Sequence, residues 1–151
     1  MNDSLGKEVL GTVGGYIAGQ AKIAAIVGLL YTIGFAIAGV PGWFIVGPIC
    51  GALNVVPVLG SVAALLLAEF VSLFGEAEVY NFIAVLVTFV AVQAIEGFYL
   101  TPMLLGRRVG LRPLTVFVAI AVGGLAFGPL GLLLAVPVAA VFAVFWRRRR
   151  V

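Results

Sequence analysis

Charged residues are absent from three long stretches of this chain. The stretches run from Ile23 to Ala68, from Val79 to Ile95 and from Leu114 to Trp146. Built as single α-helices, they would measure about 69 Å, about 26 Å and about 50 Å. The hydrocarbon core of a bilayer is about 30 Å thick, so the first and third stretches are too long for one crossing. The pattern therefore predicts several membrane segments joined by breaks inside the uncharged stretches.

Prolines and glycines mark where the first stretch breaks. Pro41-Gly42 offers one break, and the run at 54–60, which contains a proline and ends in a glycine, offers another. The last two of the resulting segments are short for complete crossings, so a re-entrant pair is an alternative interpretation. The three predicted segments lie at about 22–40, 43–56 and 61–75.

The later stretches carry breaks of the same kind. Thr101-Pro102 is predicted to end the segment that begins at Val79, because proline in a helix interior removes a backbone hydrogen bond. Phe127-Gly128-Pro129-Leu130-Gly131 divides the third stretch and predicts a helical hairpin. The predicted structural hinges of the whole chain are Pro57, Gly60, Pro102, Gly128 and Gly131.

These patterns predict an all-α, polytopic integral membrane protein with about six membrane segments, some of them broken or re-entrant. Composition agrees, since 64% of the residues are hydrophobic and 10% are charged, against about 45–50% and about 25% in soluble domains. A lipid bilayer removes the need for a polar surface. The predicted organisation is an N-terminal amphipathic, juxtamembrane segment at 1–20, a transmembrane domain at 21–146 and a basic cytoplasmic tail at 147–151.

Basic residues predict the orientation of these segments. The loop at 106–113 is basic, and the run Arg147 to Arg150 follows directly on an apolar segment. The predicted hairpin puts both on one side of the membrane, which the positive-inside rule makes cytoplasmic. Counting the crossings back leaves both termini in the cytoplasm and Glu76 and Glu78 outside. A terminal basic run in this position is a cytoplasmic stop signal, so no nucleic-acid partner is predicted.

Composition also excludes several kinds of chemistry. The chain has no histidine and one cysteine, Cys50, which excludes intrachain disulfides, Cys/His zinc sites and Ser-His-Asp triads. Glu69 and Glu96 fall on different segments, so they form no intramembrane carboxylate dyad, and Glu69 is expected to be solvated near the external end of its segment. We predict a protein that is not an enzyme, with no cofactor and no metal site. Cys50 is expected to be a small packed residue rather than a reactive thiol.

Polar side chains inside a bilayer are costly and are often functional. Gln93 and Glu96 are three residues apart, so they share one face of a predicted helix, toward the cytoplasmic third of the membrane. Desolvation disfavours a charged carboxylate, which suits coupling to a proton or cation, or binding of a polar solute. The alternative is that Glu96 lies at headgroup level, solvated or paired with Arg107 or Arg108.

Asn54 lies three residues before Pro57, where helical hydrogen bonding fails. Non-helical backbone is tolerated at membrane depth only where it lines a cavity or packs on protein, and broken helices build many transporter sites. The alternative is that Asn54 caps the next segment or satisfies a neighbouring group. The candidate residues for binding a solute or ion are Asn54, Gln93 and Glu96.

Glycines recur at four-residue spacing in three places. Small residues at this spacing let helix backbones approach closely in lipid. They predict either packing within one subunit or, for some of the stripes, contacts between the subunits of a homo-oligomer. The stripes are Gly11, Gly15 and Gly19, then Gly47 and Gly51, then Gly124 and Gly128.

Several short motifs rich in glycine and proline follow one another along the chain. They are Tyr16-Ile-Ala-Gly19-Gln20, Gly39-Val40-Pro41, Gly51-Ala-Leu-Asn54-Val-Val-Pro57-Val-Leu-Gly60, Gln93-Ala-Ile-Glu96-Gly97, Leu100-Thr-Pro102, Gly106-Arg107-Arg108-Val-Gly110-Leu111-Arg-Pro113-Leu114, Gly128-Pro-Leu-Gly131 and Ala135-Val-Pro137-Val-Ala139. No single motif is specific, but the ordered set is. In order and spacing, over residues 15–140, the set resembles the autoinducer-2 exporter family of bacterial and archaeal inner membranes.

That resemblance implies a transporter of the plasma (inner) membrane that exports a small polar solute, with a link to quorum sensing. Some family members are described as sodium or lithium/proton antiporters, so coupling to H⁺ or Na⁺ is expected. The resemblance also implies a homo-oligomer, with a pentamer as the expected form. The solute would bind between the broken run at 54–60 and the face with Gln93 and Glu96, and Glu96 would bind the coupling ion.

The family's chains are longer than this one. They carry two more N-terminal membrane helices and a helical soluble insertion. The alternative to a transporter is therefore a non-transporting membrane scaffold, or a truncated family fragment, that oligomerises through its glycine stripes.

Overall fold

The computed structural model describes residues 2–56, 58–76, 78–105 and 113–148. Over these ranges the regular secondary structure is entirely helical, which confirms the predicted all-α fold. One element is a π-helical turn, a stretch in which the backbone hydrogen bonds span five residues rather than four. In chain order the elements are α1 (Asn2–Ala38), α2 (Trp43–Leu53), α3 (Leu59–Ser72), α4 (Glu78–Ile95), the π-helical turn (Glu96–Leu100), α5 (Thr101–Leu104) and α6 (Pro113–Arg148).

The chain forms two compact units. One comprises the residues up to Gln20 together with those from Pro102 onward, and the other comprises Ala21–Thr101. We call the second the central unit. It contains the C-terminal half of α1, all of α2, α3 and α4, and the π-helical turn, and all three candidate site residues belong to it. The domain limits at 20 and 146 that the sequence suggests remain predictions.

Two helical stretches among the described residues, Gly6–Ala38 and Val79–Leu100, are long and apolar enough to cross a membrane. Of their most apolar windows, 33% and 17% of the residues are buried, whereas the core helix of a soluble protein is mostly buried. Helices α2 and α3 have 11 and 14 residues, which is short for a crossing. The described helices thus support an all-α membrane protein but not the predicted count of about six membrane segments.

In the central unit, glycines bring α1 and α2 into close contact. A Cβ atom added to Gly28 would lie 3.5 Å from the Cα of Gly51, and one added to Gly51 would collide with the backbone of Gly28. Gly47 faces Thr32 of α1 with equally little room. The stripe of Gly47 and Gly51 therefore packs helices within the chain, which is one of the two roles that its spacing predicts.

Helix α3 packs on α2 along a line of small residues. Gly60, Ala64, Ala68 and Ser72 are buried on α3, and a Cβ atom on Gly60 would collide with the backbone carbonyl of Leu53. Cys50 is fully buried, with its Sγ 3.4 Å from the carbonyl oxygen of Ala64. The cysteine is thus a packed residue, as expected. Gly60 is in close backbone contact with α2, and its role as a hinge remains a prediction.

The predicted hairpin is present inside α6. Gly128 has a non-helical backbone (φ 59°, ψ −139°) that divides the element into two helices. A Cβ atom on Gly123 would lie 2.6 Å from the carbonyl oxygen of Gly131, although the two Cα atoms would be about 12 Å apart in a straight helix. The chain therefore reverses at Gly128, and Gly131 lies buried where the two halves meet.

The sequence predicts that a segment ends at Thr101-Pro102, and α5 ends at Leu104, two residues beyond the proline, directly after the π-helical turn. The role of Pro102 as a hinge remains a prediction. The backbone N–H of Thr101 bonds to the carbonyl of Glu96, five residues back. Proline lacks an N–H and its ring crowds the carbonyl four residues before it, so a wider turn at this place accommodates the proline without ending the helix.

Candidate functional site

Asn54 stands where α2 ends. It caps the C-terminus of the helix in a helical backbone conformation, and its N–H bonds to the carbonyl of Cys50 at 3.1 Å. The side chain is 4% exposed, and its Nδ2 donates a hydrogen bond to Oε2 of Glu96. This bond joins residues 42 positions apart in sequence, so it fixes the end of α2 to the end of α4.

The backbone after Asn54 turns tightly into α3. Val55 and Val56 donate to the carbonyls of Ala52 and Leu53, three residues back, at 3.2 and 3.1 Å. Val58 then has φ 65° and ψ −60°, and a positive φ is strained for a β-branched residue. Pro57, one of the predicted hinges, lies outside the described residues. Strain of this kind persists where the surroundings hold it, and it is common at functional sites.

Gln93 and Glu96 both reach into the central unit, but they have different partners. Gln93 lies on the last turn of α4, and its Oε1 accepts a hydrogen bond from the hydroxyl of Tyr31 at 3.3 Å. Glu96 begins the π-helical turn and is bonded to Asn54. The alternative partners for Glu96, Arg107 and Arg108, lie outside the described residues.

Tyr31 is a further polar residue of this region that the sequence did not single out. It is completely buried, and its ring stacks on Phe35 and Phe89 with centroids 5.3 and 6.4 Å apart. A buried tyrosine hydroxyl needs a hydrogen-bond partner. The sequence contained one signal for this residue, a tyrosine in the middle of an uncharged stretch. Its partner Gln93 lies on another helix, so the pairing could not be read from spacing along the chain.

The cluster of Tyr31, Asn54, Gln93 and Glu96 offers a carboxylate, two amides and a hydroxyl within one helical unit. Oxygen ligands of this kind suit hard cations, and the same groups can hydrogen-bond a small polar solute. No group of three or more His, Cys, Asp or Glu side chains that could hold a metal ion occurs among the described residues. One carboxylate, two amides and a hydroxyl suit a proton, a monovalent cation or a neutral polar molecule.

Comparison with known proteins assigns the family. The model of the AI-2E family transporters matches residues 2–149. This chain belongs to the AI-2E transporter family. YrrI of Bacillus subtilis (strain 168) is 34% identical over 142 residues, which cover 91% of this chain and 38% of YrrI. The AI-2 transport protein TqsA of Escherichia coli (strain K12) is 29% identical over 140 residues, which cover 91% of this chain and 40% of TqsA.

The AI-2E assignment confirms the resemblance seen in the motifs and places the chain in a family of membrane transporters. The chain spans about two fifths of the length of these two relatives, whose shares are 38% and 40%. No solved structure matches it significantly. Because the relatives are named as transport proteins, membership is consistent with a protein that is not an enzyme. The roles of Asn54, Gln93 and Glu96 remain predictions.

Proposed function

We propose that this chain is a membrane-embedded part of an AI-2E exporter of a small polar solute, which binds between the α2–α3 turn and the π-helical turn. The observation that carries the proposal is the hydrogen bond from Asn54 to Glu96. It joins the strained end of one broken segment to the widened turn of another. Irregular backbone of this kind is stable at membrane depth where it faces protein or a cavity, and transporters commonly bind their cargo at such breaks.

In this proposal, Glu96 binds the coupling ion, H⁺ or Na⁺, while Asn54 and Gln93 bind the solute. Neutralising the carboxylate weakens its hydrogen bond to Asn54, because charge-assisted hydrogen bonds are the stronger ones. The amide of Asn54 then becomes available to the solute. Binding of the ion and binding of the solute are coupled through that single contact.

The name of one relative supports the proposed kind of solute. TqsA is named for AI-2 transport, so we propose a small polar solute, moved outward in exchange for H⁺ or Na⁺, with a role in quorum sensing. Flux of a panel of polar solutes in proteoliposomes, with and without pH and Na⁺ gradients, tests the solute and the coupling ion together.

The coupling role is tested by Glu96→Gln, which removes the charge and keeps the shape. We expect the variant to fold and to lose the dependence of flux on the pH or Na⁺ gradient. Glu76→Gln is the matched control, because Glu76 lies exposed between α3 and α4. Normal flux with unchanged gradient dependence in Glu96→Gln would remove Glu96 from the mechanism.

We also propose that the chain has about six membrane segments in the plasma (inner) membrane, with α2 and α3 as a re-entrant pair and both termini cytoplasmic. Helices of 11 and 14 residues measure about 17 and about 21 Å, less than the bilayer core. Cysteines introduced at Glu76 and at Lys7 in a Cys50→Ala background test the orientation. An impermeant maleimide is expected to label Glu76→Cys on intact cells and Lys7→Cys after permeabilisation, and the reverse pattern would contradict this topology.

A membrane scaffold without transport is the second candidate, and one observation favours it. Cβ atoms added to Gly6, Gly11 or Gly14 on α1 would meet nothing within 4 Å. Such a small-residue face is available for helix association in lipid, and we propose a homo-oligomer, with a pentamer as the expected form. Native mass spectrometry of an intact oligomer that gives no flux with any solute would favour the scaffold.

A further inference from the structure

Glu69 is a second carboxylate of the central unit, and its surroundings differ from those of Glu96. It lies in the last turn of α3, partly buried. Its Oε1 is buried and has no hydrogen-bond partner among the described residues. The expectation that this side chain is solvated is therefore wrong for one of its two oxygens. A buried charge without a partner is unfavourable.

Among the described residues, the side chain that contacts the carboxylate through a polar atom is Ser72, by its hydroxyl group. Ser72 is completely buried, and its Oγ donates to the backbone carbonyl of Glu69 at 2.8 Å while lying 3.4 Å from Oε2 of the same residue. A serine hydroxyl has one hydrogen and two acceptor lone pairs. With that hydrogen engaged by the carbonyl, Ser72 presents oxygen, like Glu69, to any group bound between them.

The end of α3 carries a negative potential of its own. The C-terminus of a helix is equivalent to roughly half a negative charge, and the last turn of α3 contains no basic residue. Elements α2 and α4 pack against α3, and the titratable residues on them and on the adjoining loop are all acids. These are Cys50, Glu76, Glu78 and Tyr80, with Glu96 at the far end of α4.

No basic residue of the central unit can neutralise Glu69. Lys22 is the only lysine or arginine in Ala21–Thr101. Along the axis of α1 it is separated by about 24 Å from Ala38, the last residue of that helix. The end of α3 is level with the end of α1, because Asn81 of α4 lies against both Gly75 and Gly39. Lys22 and Glu69 are thus at opposite ends of the unit.

We propose that Glu69 and Ser72 form a second cation site, for a proton or an alkali-metal ion, at the opposite end of the central unit from Glu96. The unpartnered oxygen, the oxygen atoms of Ser72 and the negative helix end all favour a positive charge there. The site concerns binding at equilibrium, so it stands whether or not the chain exports a solute. In the proposed topology it faces the external side, and Glu96 faces the cytoplasmic side.

Carbodiimide labelling of the purified chain in detergent tests this proposal. Dicyclohexylcarbodiimide reacts with protonated carboxyl groups in apolar surroundings, and peptide mass spectrometry reports Glu69, Glu76 and Glu96 separately. We expect Glu69 to be labelled much faster than exposed Glu76. If the site takes an alkali ion, NaCl or LiCl slows the labelling of Glu69 relative to choline chloride, and Ser72→Ala reduces that protection while the matched variant Ser61→Ala does not. Labelling that is fast but independent of the salt assigns the site to a proton.

Labelling of Glu69 no faster than that of Glu76, without any effect of Na⁺ or Li⁺, would overturn the proposal. That result would describe a solvated surface carboxylate. Because labelling is measured on the unmodified chain, the test does not depend on a variant that folds. Because Glu96 is measured in the same digest, failure at Glu69 leaves the proposed role of Glu96 intact, and loss of flux in Glu96→Gln says nothing against Glu69.

Discussion

Two breaks in uncharged stretches look alike in the sequence and differ in the structure. The turn from α2 to α3 contains Asn54 and the strained residue Val58, and its polar side chain reaches another helix. The break at Gly128 in α6 is closed by backbone contact between Gly123 and Gly131. The first break places a polar group where a ligand can use it, whereas the second reverses the chain. Glycine and proline therefore predict where a membrane segment breaks, and the polar residue beside them indicates what the break is for.

The largest expected effect is on stability, at the break in α6 where Gly123 and Gly131 are in contact. In Gly131→Ala, the added Cβ collides with the backbone carbonyl of Gly123, and a backbone cannot rotate away as a side chain can. We expect a loss of about 1–3 kcal/mol in the free energy of unfolding, measured by thermal unfolding in detergent. Gly14→Ala is the control, because its Cβ would meet nothing within 4 Å. Equal stability of the two variants would show that the halves of α6 do not pack as described.

The next largest effect is expected at the α2–α3 turn, where Asn54 is bonded to Glu96. Asn54→Ala removes the donor from Glu96 and leaves a part-buried carboxylate oxygen without this hydrogen bond, which costs about 1–3 kcal/mol. Asn81→Ala is the matched control, because Asn81 is also buried, at 3% exposure, but lies at the other end of the unit. Both variants should lose stability, and only Asn54→Ala should weaken the apparent affinity for solute or ion in proteoliposome flux. Equal flux in the two variants would reduce Asn54 to a structural residue.

These breaks also show what sequence can supply. The uncharged stretches, together with Gly128, predicted an all-α membrane fold and its hairpin, because a chain in lipid must satisfy its backbone within helices. The sequence did not predict the π-helical turn at Glu96–Leu100, after which the helical backbone reaches Leu104, two residues beyond Pro102. The pairing of Asn54 with Glu96 and of Tyr31 with Gln93 depends on how the helices pack. Spacing along one chain shows which residues share a face, but not which face meets another.

A smaller effect is expected at Tyr31. Tyr31→Phe keeps the stacking on Phe35 and Phe89 but removes the hydrogen bond to Gln93, which is worth about 0.5–1.5 kcal/mol. We expect weaker solute affinity and a fall of only a few degrees in the unfolding temperature, because the ring still fills its place. Tyr80→Phe is the control, since Tyr80 is on α4 but 61% exposed. An unchanged affinity in Tyr31→Phe would mean that the orientation of Gln93 does not matter to the solute.

The smallest expected effect compares the two breaks most directly. Substitution between glycine and a larger residue should change stability in opposite directions at Val58 and at Gly128. Val58 and Gly128 both have positive φ, 65° and 59°, but only glycine adopts a positive φ without strain. Val58→Gly removes backbone strain of about 1–3 kcal/mol in the folded state. It also costs about 0.5–1 kcal/mol, because glycine gives the unfolded chain more conformational entropy. We therefore expect a modest net gain in stability. Gly128→Ala should lose stability, and Val62→Gly, at a similarly exposed position within α3, should lose it too. A loss in Val58→Gly would show that the side chain of Val58 contributes more than its backbone costs, and that the α2–α3 turn is held by packing as the break at Gly128 is.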